Sequence, residues 1–270
     1  MKHRFISFLS DFGLADDFVG TCHGVIKRLA PDVEIIDVTH GIAPQAVLPG
    51  ALILRNTLPY LPSGVHLAVV DPGVGSTRRP IIVRDAAGDL FVGPDNGLLV
   101  PAAELRGIES AHEIANPAYA LEPVSRTFHG RDLFSPAAAH LALGVEPSEL
   151  GPPLAPDALA RLDIPTPKVR PGAVDAHVLY VDRFGNMQLN MTRDDLDSLG
   201  IVPGTRFELE LAGERYYATA ARTYADARPG EIVLYEDSYR NIAVAINRGN
   251  AAEMFFAQPG QRIRLHLGQP

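Results

Sequence analysis

The sequence predicts an α/β protein: an N-terminal domain with a mostly parallel central sheet flanked by helices, followed by a smaller C-terminal antiparallel β-barrel-like domain. Three observations carry this expectation. Apolar runs alternate with helical patterns in the N-terminal part, seven prolines crowd residues 146–172, and short apolar runs split by turn residues follow. Strand, helix, strand in succession implies parallel pairing. Proline removes backbone donors and breaks regular structure, and closely spaced short strands make sandwiches or barrels. The expected division is residues 1–150, a proline-rich linker over 151–172, and residues 173–270.

In chain order, residues 5–10 read as a buried strand, after which Asp16 or Asp17 opens an amphipathic helix that stops before Pro31. Residues 33–38 form a second strand, 45–58 a helical stretch interrupted by Pro49, and 65–70 a third apolar strand. In open parallel sheets, polar residues just past the carboxyl ends of strands line the ligand crevice. That places Asp11, Asp37 with His40, and Asp71 along one edge. Residues 81–92 read as a hairpin around Asp85-Ala86-Ala87-Gly88, Asn96-Gly97 as the start of a short helix, and 132–143 as a further helix with Asp132 at its N-cap. Past the linker, strands are expected at 174–181, 206–211, 216–223, 232–235, 242–246 and 262–267, with one helix at 194–199 capped by Thr192.

Composition narrows the function. The 270 residues carry a formal charge of -8 and no Lys/Arg cluster, which argues against nucleic acid, whose backbone demands concentrated positive charge. No apolar run approaches the roughly 20 residues that cross a bilayer, and Met1-Lys2-His3-Arg4 leads directly into the first strand, so a cytoplasmic protein is expected. The single cysteine, Cys22, rules out an intramolecular disulfide and lies on the helical stripe Val19, Cys22, Ile26, Leu29, a core position.

Several polar segments invite chemistry. In Asp71-Pro72-Gly73-Val74-Gly75, proline and glycine impose a tight turn directly after the third strand, fixing a carboxylate at the crevice mouth. Arg78 or Arg79 can fold back onto it. Phe128-His129-Gly130-Arg131-Asp132 places a histidine, able to exchange a proton near neutral pH, in the loop before a helix. In Ser10-Asp11-Phe12-Gly13, the carboxylate suits a ribose diol, while Asp16 serves equally as a helix cap or a ligand contact. Asp182-Arg183-Phe184-Gly185-Asn186 is a turn between strands. Neither a dinucleotide fingerprint nor a P-loop is present.

Together with Asp37-Val38-Thr39-His40, Gly93-Pro94-Asp95-Asn96-Gly97 and Asn247-Arg248-Gly249-Asn250-Ala251-Ala252, these motifs resemble, in order and over nearly the whole chain, the S-adenosyl-L-methionine (SAM) hydroxide adenosyltransferases, relatives of the fluorinases and chlorinases. The resemblance implies hydrolysis of SAM to adenosine and L-methionine, without metal, by a homotrimer whose sites lie between the α/β domain of one subunit and the barrel-like domain of its neighbour. It implies a hydrolytic triad of Asp71, Arg78 and His129, with Arg78 fitting the spacing better than Arg79. It further implies Asp11 on the ribose, Asp16 and Asp182 near the methionine part, Phe184 and Tyr224 around the base, and Asn186, Ser238 and Tyr239 on polar edges. Phe128 and Ala251, inside matching motifs, complete the expected binding set. SAM is then the substrate, and no cofactor is expected.

The halogenating relatives lack this triad. A carboxylate beside the nucleophile repels a halide but accepts a hydrogen bond from water, so water is favoured over a halide-using adenosyltransferase of the same fold. Two rivals differ in class. A metal-dependent phosphoesterase-type hydrolase would use Asp11, Asp37, His40, Asp71 and His129 as ligands, and a non-catalytic SAM-binding protein would form no adenosine.

Overall fold

The computed structural model describes residues 2–267. The chain divides into two compact units, Met1–Leu162 and Asp163–Pro270.

In the first unit, β1 (Phe5–Ser10), α1 (Phe18–Leu29), β2 (Glu34–Thr39), α2 (Val47–Thr57) and β3 (Val65–Val69) follow one another. They are succeeded by β4 (Pro80–Asp85), β5 (Leu90–Pro94), α3 (Val100–Ala103), β6 (Ile108–Glu113), α4 (Ser135–Ala142), α5 (Pro147–Leu150) and β7 (Pro153–Leu154). The sheet order is β2-β1-β3-β5-β4-β6-β7. β2, β1, β3 and β5 run parallel, and β4, β6 and β7 continue antiparallel. β3 is buried along its whole length, as a central parallel strand covered on both faces must be. Its alternate residues divide between two cores. Val65, Leu67 and Val69 join Cys22, Ile26 and α4 on one face, while Ala68 and Val70 join Ala51, Leu54, Leu98 and Ala102 on the other. Burial of Cys22 pushes its thiol up to about 11, so it behaves as core.

Several local expectations are corrected. Pro49 does not interrupt α2, because it lies in the first turn, where its missing N–H would have had no helical acceptor. The helix expected at Asn96 begins only at Val100, since Asn96 turns inward and donates to Val70 O at 2.8 Å. Asp132 is no N-cap. It lies inside a π-helical turn, Gly130–Phe134, where it is buried, accepts from Ser125 N at 2.8 Å and pairs with Arg131. The proline-rich segment is not devoid of structure either, and the division at Leu162 falls within it. β7 adds an edge strand, where Pro153 forfeits no interior ladder bond, and β8 (Lys168–Arg170) pairs with β9 (Ala173–Val181) of the second unit.

The second unit continues with β10 (Met187–Thr192), α6 (Arg193–Ser198), β11 (Arg206–Leu211), β12 (Glu214–Ala220), β13 (Ile232–Glu236), β14 (Asn241–Ile246), α7 (Ala251–Phe255) and β15 (Arg262–His266). Seven strands close a barrel through β9-β10-β14-β13-β12-β11-β15 and back to β9. The expected antiparallel pattern has one exception, as β12 and β13 pair in parallel. Residues 221–231 supply the crossover that this demands. β10 and α7 were not anticipated. Thr192 caps α6 as expected, its hydroxyl accepting from Asp195 N.

One hairpin loop recurs three times. Asp85, Asp182 and Asp237 each use Oδ1 to accept the N–H groups two and four residues ahead. The fourth residue is left-handed in each: Gly88 (φ 89), Gly185 (φ 81) and Arg240 (φ 68).

At the edge where β3 and β5 begin lies a buried polar cluster. Ser63 Oγ and Gly64 N donate to Asp89 Oδ1, Arg106 Nη1 donates to Oδ2 at 2.5 Å, and His66 Nε2 stands 3.6 Å from the same oxygen. His66 Nδ1 is 2.8 Å from Ser7 Oγ. Burial alone would raise the Asp89 carboxyl, but these donors hold it well below the usual carboxylate range.

Candidate active site

Because β1, β2 and β3 run parallel, Asp11, Asp37 with His40, and Asp71 share the sheet edge expected for them. Past β3, the turn starting at Asp71 closes with Val74 N donating to Asp71 O at 3.3 Å and Ser76 N to Gly73 O at 3.0 Å. Gly75 is left-handed (φ 76), and a Cβ there would strike the carbonyl of Arg126. This reversal returns Arg78 onto Asp71. Its Nε lies 3.0 Å from each carboxylate oxygen, and Nη2 also donates to Oδ2. The same Nη2 donates to His129 Nδ1 at 2.7 Å. The Phe134 ring lies 5.2 Å from the guanidinium carbon, and only 10% of the Arg78 side chain and 6% of the Asp71 side chain are exposed. A charge-assisted fork this well shielded from water is strong and geometrically exacting.

An arginine only donates, so Nδ1 of His129 must accept, and the neutral ring carries its proton on Nε2. Burial, reinforced by the Arg78 charge, lowers the His129 pKa from its ordinary 6.5, against opposing pulls from Asp71 and Asp132. The ring is thereby kept neutral around physiological pH. Arg79 is engaged elsewhere: its Nε donates to Asp95 at 2.9 Å and its Nη2 to Ala158 O at 2.6 Å. Of the two arginines, Arg78 is the one that contacts Asp71 and His129.

The loop after β1 is joined to the His129 loop by aromatic rings. Phe12, Phe18 and Phe128 form a triangle with centroid separations of 5.9, 5.8 and 5.1 Å, and Arg131 covers Phe128 at 5.1 Å. Gly130 permits this packing, since a Cβ would come within 2.8 Å of the Phe12 ring. Phe12 and Phe18 were not singled out in the sequence, although Phe12 stands inside a quoted motif. Asp11 Oδ2 accepts from Gln45 N at 2.8 Å, which fixes its carboxylate at the strand end. Asp16 is exposed and precedes α1, whose N-cap is Asp17, with no side-chain capping bond.

In the barrel unit, Asp182 anchors its loop and also accepts from Asn186 Nδ2 at 2.7 Å, leaving Phe184 75% exposed at the tip. Tyr224 and Tyr235 hydroxyls lie 2.5 Å apart, and burial followed by that bond raises the Tyr235 pKa. Tyr239 and Ser238 occupy the equivalent loop at Asp237, both exposed. Ala251 is buried as the first residue of α7, and Ala252 N donates to Gly185 O at 2.9 Å, tying the helix to the Phe184 loop.

The five residues considered for a metallohydrolase do not gather. The cationic guanidinium of Arg78 lies against both Asp71 and His129, the reverse of what a metal ion requires. Asp37 and His40 instead meet His23, and these three are the one set of metal-type donors within reach of one another among the described residues.

The chain also matches known proteins along nearly its whole length. The SAM hydroxide adenosyltransferase N-terminal domain matches residues 6–151, and the corresponding C-terminal domain matches residues 176–264. The chain is 48% identical to the (R)-S-adenosyl-L-methionine hydrolase of Salinispora tropica, over 97% of this chain and 98% of that one. A fluorinase of Nocardia brasiliensis is 29% identical, over 99% of this chain and 98% of the other. Among solved structures, an uncharacterized conserved protein from Thermotoga maritima superposes with a TM-score of 0.89 at 35% identity, covering 97% of this chain and 99% of that one. With both domains matched in order and close relatives aligned end to end, the chain belongs to the SAM hydroxide adenosyltransferase family.

Proposed function

We infer that the protein hydrolyses SAM to adenosine and L-methionine by attack of water or hydroxide on the ribose C5′. The observation that carries this reading is the partly buried chain Asp71–Arg78–His129, a carboxylate and a neutral imidazole held on one guanidinium. The higher identity to a SAM hydrolase than to a fluorinase supports it. The sulfonium departs as a neutral thioether, so neither a general acid nor a cofactor is needed at the leaving group. Catalysis reduces to placing one oxygen nucleophile in line with the C5′–S bond and stabilising its negative character. Arg78 supplies positive charge toward that oxygen, the Nε2–H of His129 is the donor that orients it, and Asp71 holds the guanidinium in place. The new C–O bond forms as the C–S bond breaks, and the water proton is released to solvent. Asp71 also supplies the negative charge that disfavours a halide.

Asp11 takes the ribose hydroxyls on this reading, Asp16 and Asp182 the methionine part, and Phe128, Phe184 and Tyr224 the apolar surfaces of the nucleoside. Asn186, Ser238, Tyr239 and the Ala251 backbone supply the polar edges. In water enriched in heavy oxygen and with chelator present, adenosine should carry the label on its 5′-hydroxyl. Absence of adenosine, a 5′-halogenated product when halide is added, or loss of turnover on chelation would each overturn the reading.

The acid limb of kcat/KM should inflect below pH 6.5, the ordinary imidazole value. Protonation of His129 replaces the acceptor facing Arg78 with a donor, and the lowered pKa delays that event. Activity is therefore present above the depressed value and lost as pH falls through it. Stability falls in the same range, because the unfolded chain takes up the proton more readily. A limb centred above pH 6.5 contradicts the assignment.

A homotrimer and a cytoplasmic location complete the proposal. The exposed rings of Phe18, Phe184, Tyr224 and Tyr239 are apolar surface of the kind that self-association or ligand covers, and no helix among the described residues is long and apolar enough to cross a membrane. Light scattering on the purified protein should give three times the 29.1 kDa chain mass, and a monomer mass would refute the trimer.

A further inference from the structure

Away from Arg78, a second constellation has no part in the proposed reaction. Asp37 at the carboxyl end of β2, His40 just beyond it and His23 on α1 converge, with all three donor atoms within 4.8 Å of one another. His23 Nε2 is 2.9 Å and His40 Nε2 3.0 Å from the same oxygen, Asp37 Oδ1. The His40 side chain is only 2% exposed, yet its Nε2 makes no hydrogen bond. At 3.0 Å that means the Asp37 oxygen lies off the ring's donor direction. A buried imidazole nitrogen that lies beside a carboxylate without bonding to it is costly unless something else completes the arrangement.

We propose that His23, Asp37 and His40 bind a divalent late first-row transition ion such as zinc, with water in the remaining position. Two imidazole nitrogens and one carboxylate oxygen are the donors that such borderline ions prefer. Bonds of about 2.0–2.2 Å in a tetrahedron place ligand atoms roughly 3.3 Å apart, so each imidazole nitrogen needs to draw back only slightly from Asp37 Oδ1. Supporting contacts are already built. His40 Nδ1 lies 2.8 Å from Ser10 Oγ, a partner for the second ring nitrogen that frees Nε2 as the ligand. The Phe8 ring packs on both imidazoles, at 4.7 Å from His40 and 5.9 Å from His23, limiting their rotation. Asp37 and His23 are partly exposed, at 43% and 31%, which leaves an entry path from solvent. His40 O also accepts from Gly13 N at 2.8 Å, a backbone bond that holds the loop after β1 independently of any ion.

Binding is read directly, without recourse to turnover. Protein stripped with chelator and titrated with zinc in a calorimeter should bind one equivalent per chain, and cobalt at the same site should give the visible absorption of a tetrahedral ion. Zinc should raise the melting temperature by several degrees at concentrations well above Kd. His23→Ala and Asp37→Asn, both at partly exposed positions, should weaken binding at least about 30-fold, while their metal-free melting shows that they fold. Absence of saturable binding by the wild-type chain, or unchanged affinity in both variants, overturns the site. Either result leaves SAM hydrolysis untouched, because that reaction uses none of the three residues.

Discussion

Arg78→Ala lowers kcat for SAM hydrolysis by about 10²–10³-fold, the cost of deleting a preorganised electrostatic donor, while KM changes much less. Arg78 is the one residue of the site that contacts both of the others. Its removal strands a carboxylate whose side chain is 6% exposed and frees His129 from the bond that fixes its tautomer. Arg78→Lys recovers little, because a single ammonium cannot reproduce the fork that reaches both Asp71 oxygens and Nδ1 together. Arg79→Ala serves as the control. Its guanidinium is spent on Asp95 and Ala158 O, so kcat should hold while the melting temperature falls. Steady-state assays of the three variants decide the matter, and equal turnover by Arg78→Ala and wild type removes the proposed mechanism.

Asp89→Ala should cost roughly 3–5 kcal/mol of folding stability, the range for breaking a buried charged network at one member. Three donors lose their acceptor at once, Ser63 Oγ, Gly64 N and Arg106, and the buried His66 loses the carboxylate 3.6 Å from it. The last is 1% exposed and cannot turn to water. In the wild type the depressed Asp89 pKa means that this contribution is complete above the ordinary carboxylate range, near pH 4, and fades as pH falls below it. Denaturant unfolding of the variant at neutral pH tests the magnitude. A loss under about 1 kcal/mol, the scale of an exposed pair, would show that the cluster is not a stabilising element.

Much of the fold was legible because the hydrophobic period changes along the chain. β1, β3 and β11 fall where apolar runs or alternation place them, and the barrel's turn residues mark its strands. Pairing between distant strands was not legible. Nothing local indicates that β12 and β13 run parallel, since the crossover is written in residues 221–231 and not in either strand. The π-helical turn at Gly130–Phe134 was missed for a related reason: Asp132 resembles an N-cap in sequence, and only its own burial and its contacts with Arg131 and Ser125 reveal another role. At Arg78 and Arg79 the ambiguity was intrinsic. Successive side chains in extended backbone point to opposite sides, so one had to reach Asp71, but the sequence does not say which. His23 could not be joined to Asp37 and His40 at all, because they meet only when α1 packs beside β2.

The aspartate-anchored hairpin loop separates shape from display. An anchoring carboxylate and a left-handed fourth residue determine the bend, whereas the third side chain contributes only its N–H to the geometry. Alanine at 87, phenylalanine at 184 and tyrosine at 239 fill that place on an equivalent frame. Such a loop is an interchangeable mount: over generations the group it presents can be replaced while the fold beneath registers no change, and in the barrel two of these mounts carry rings.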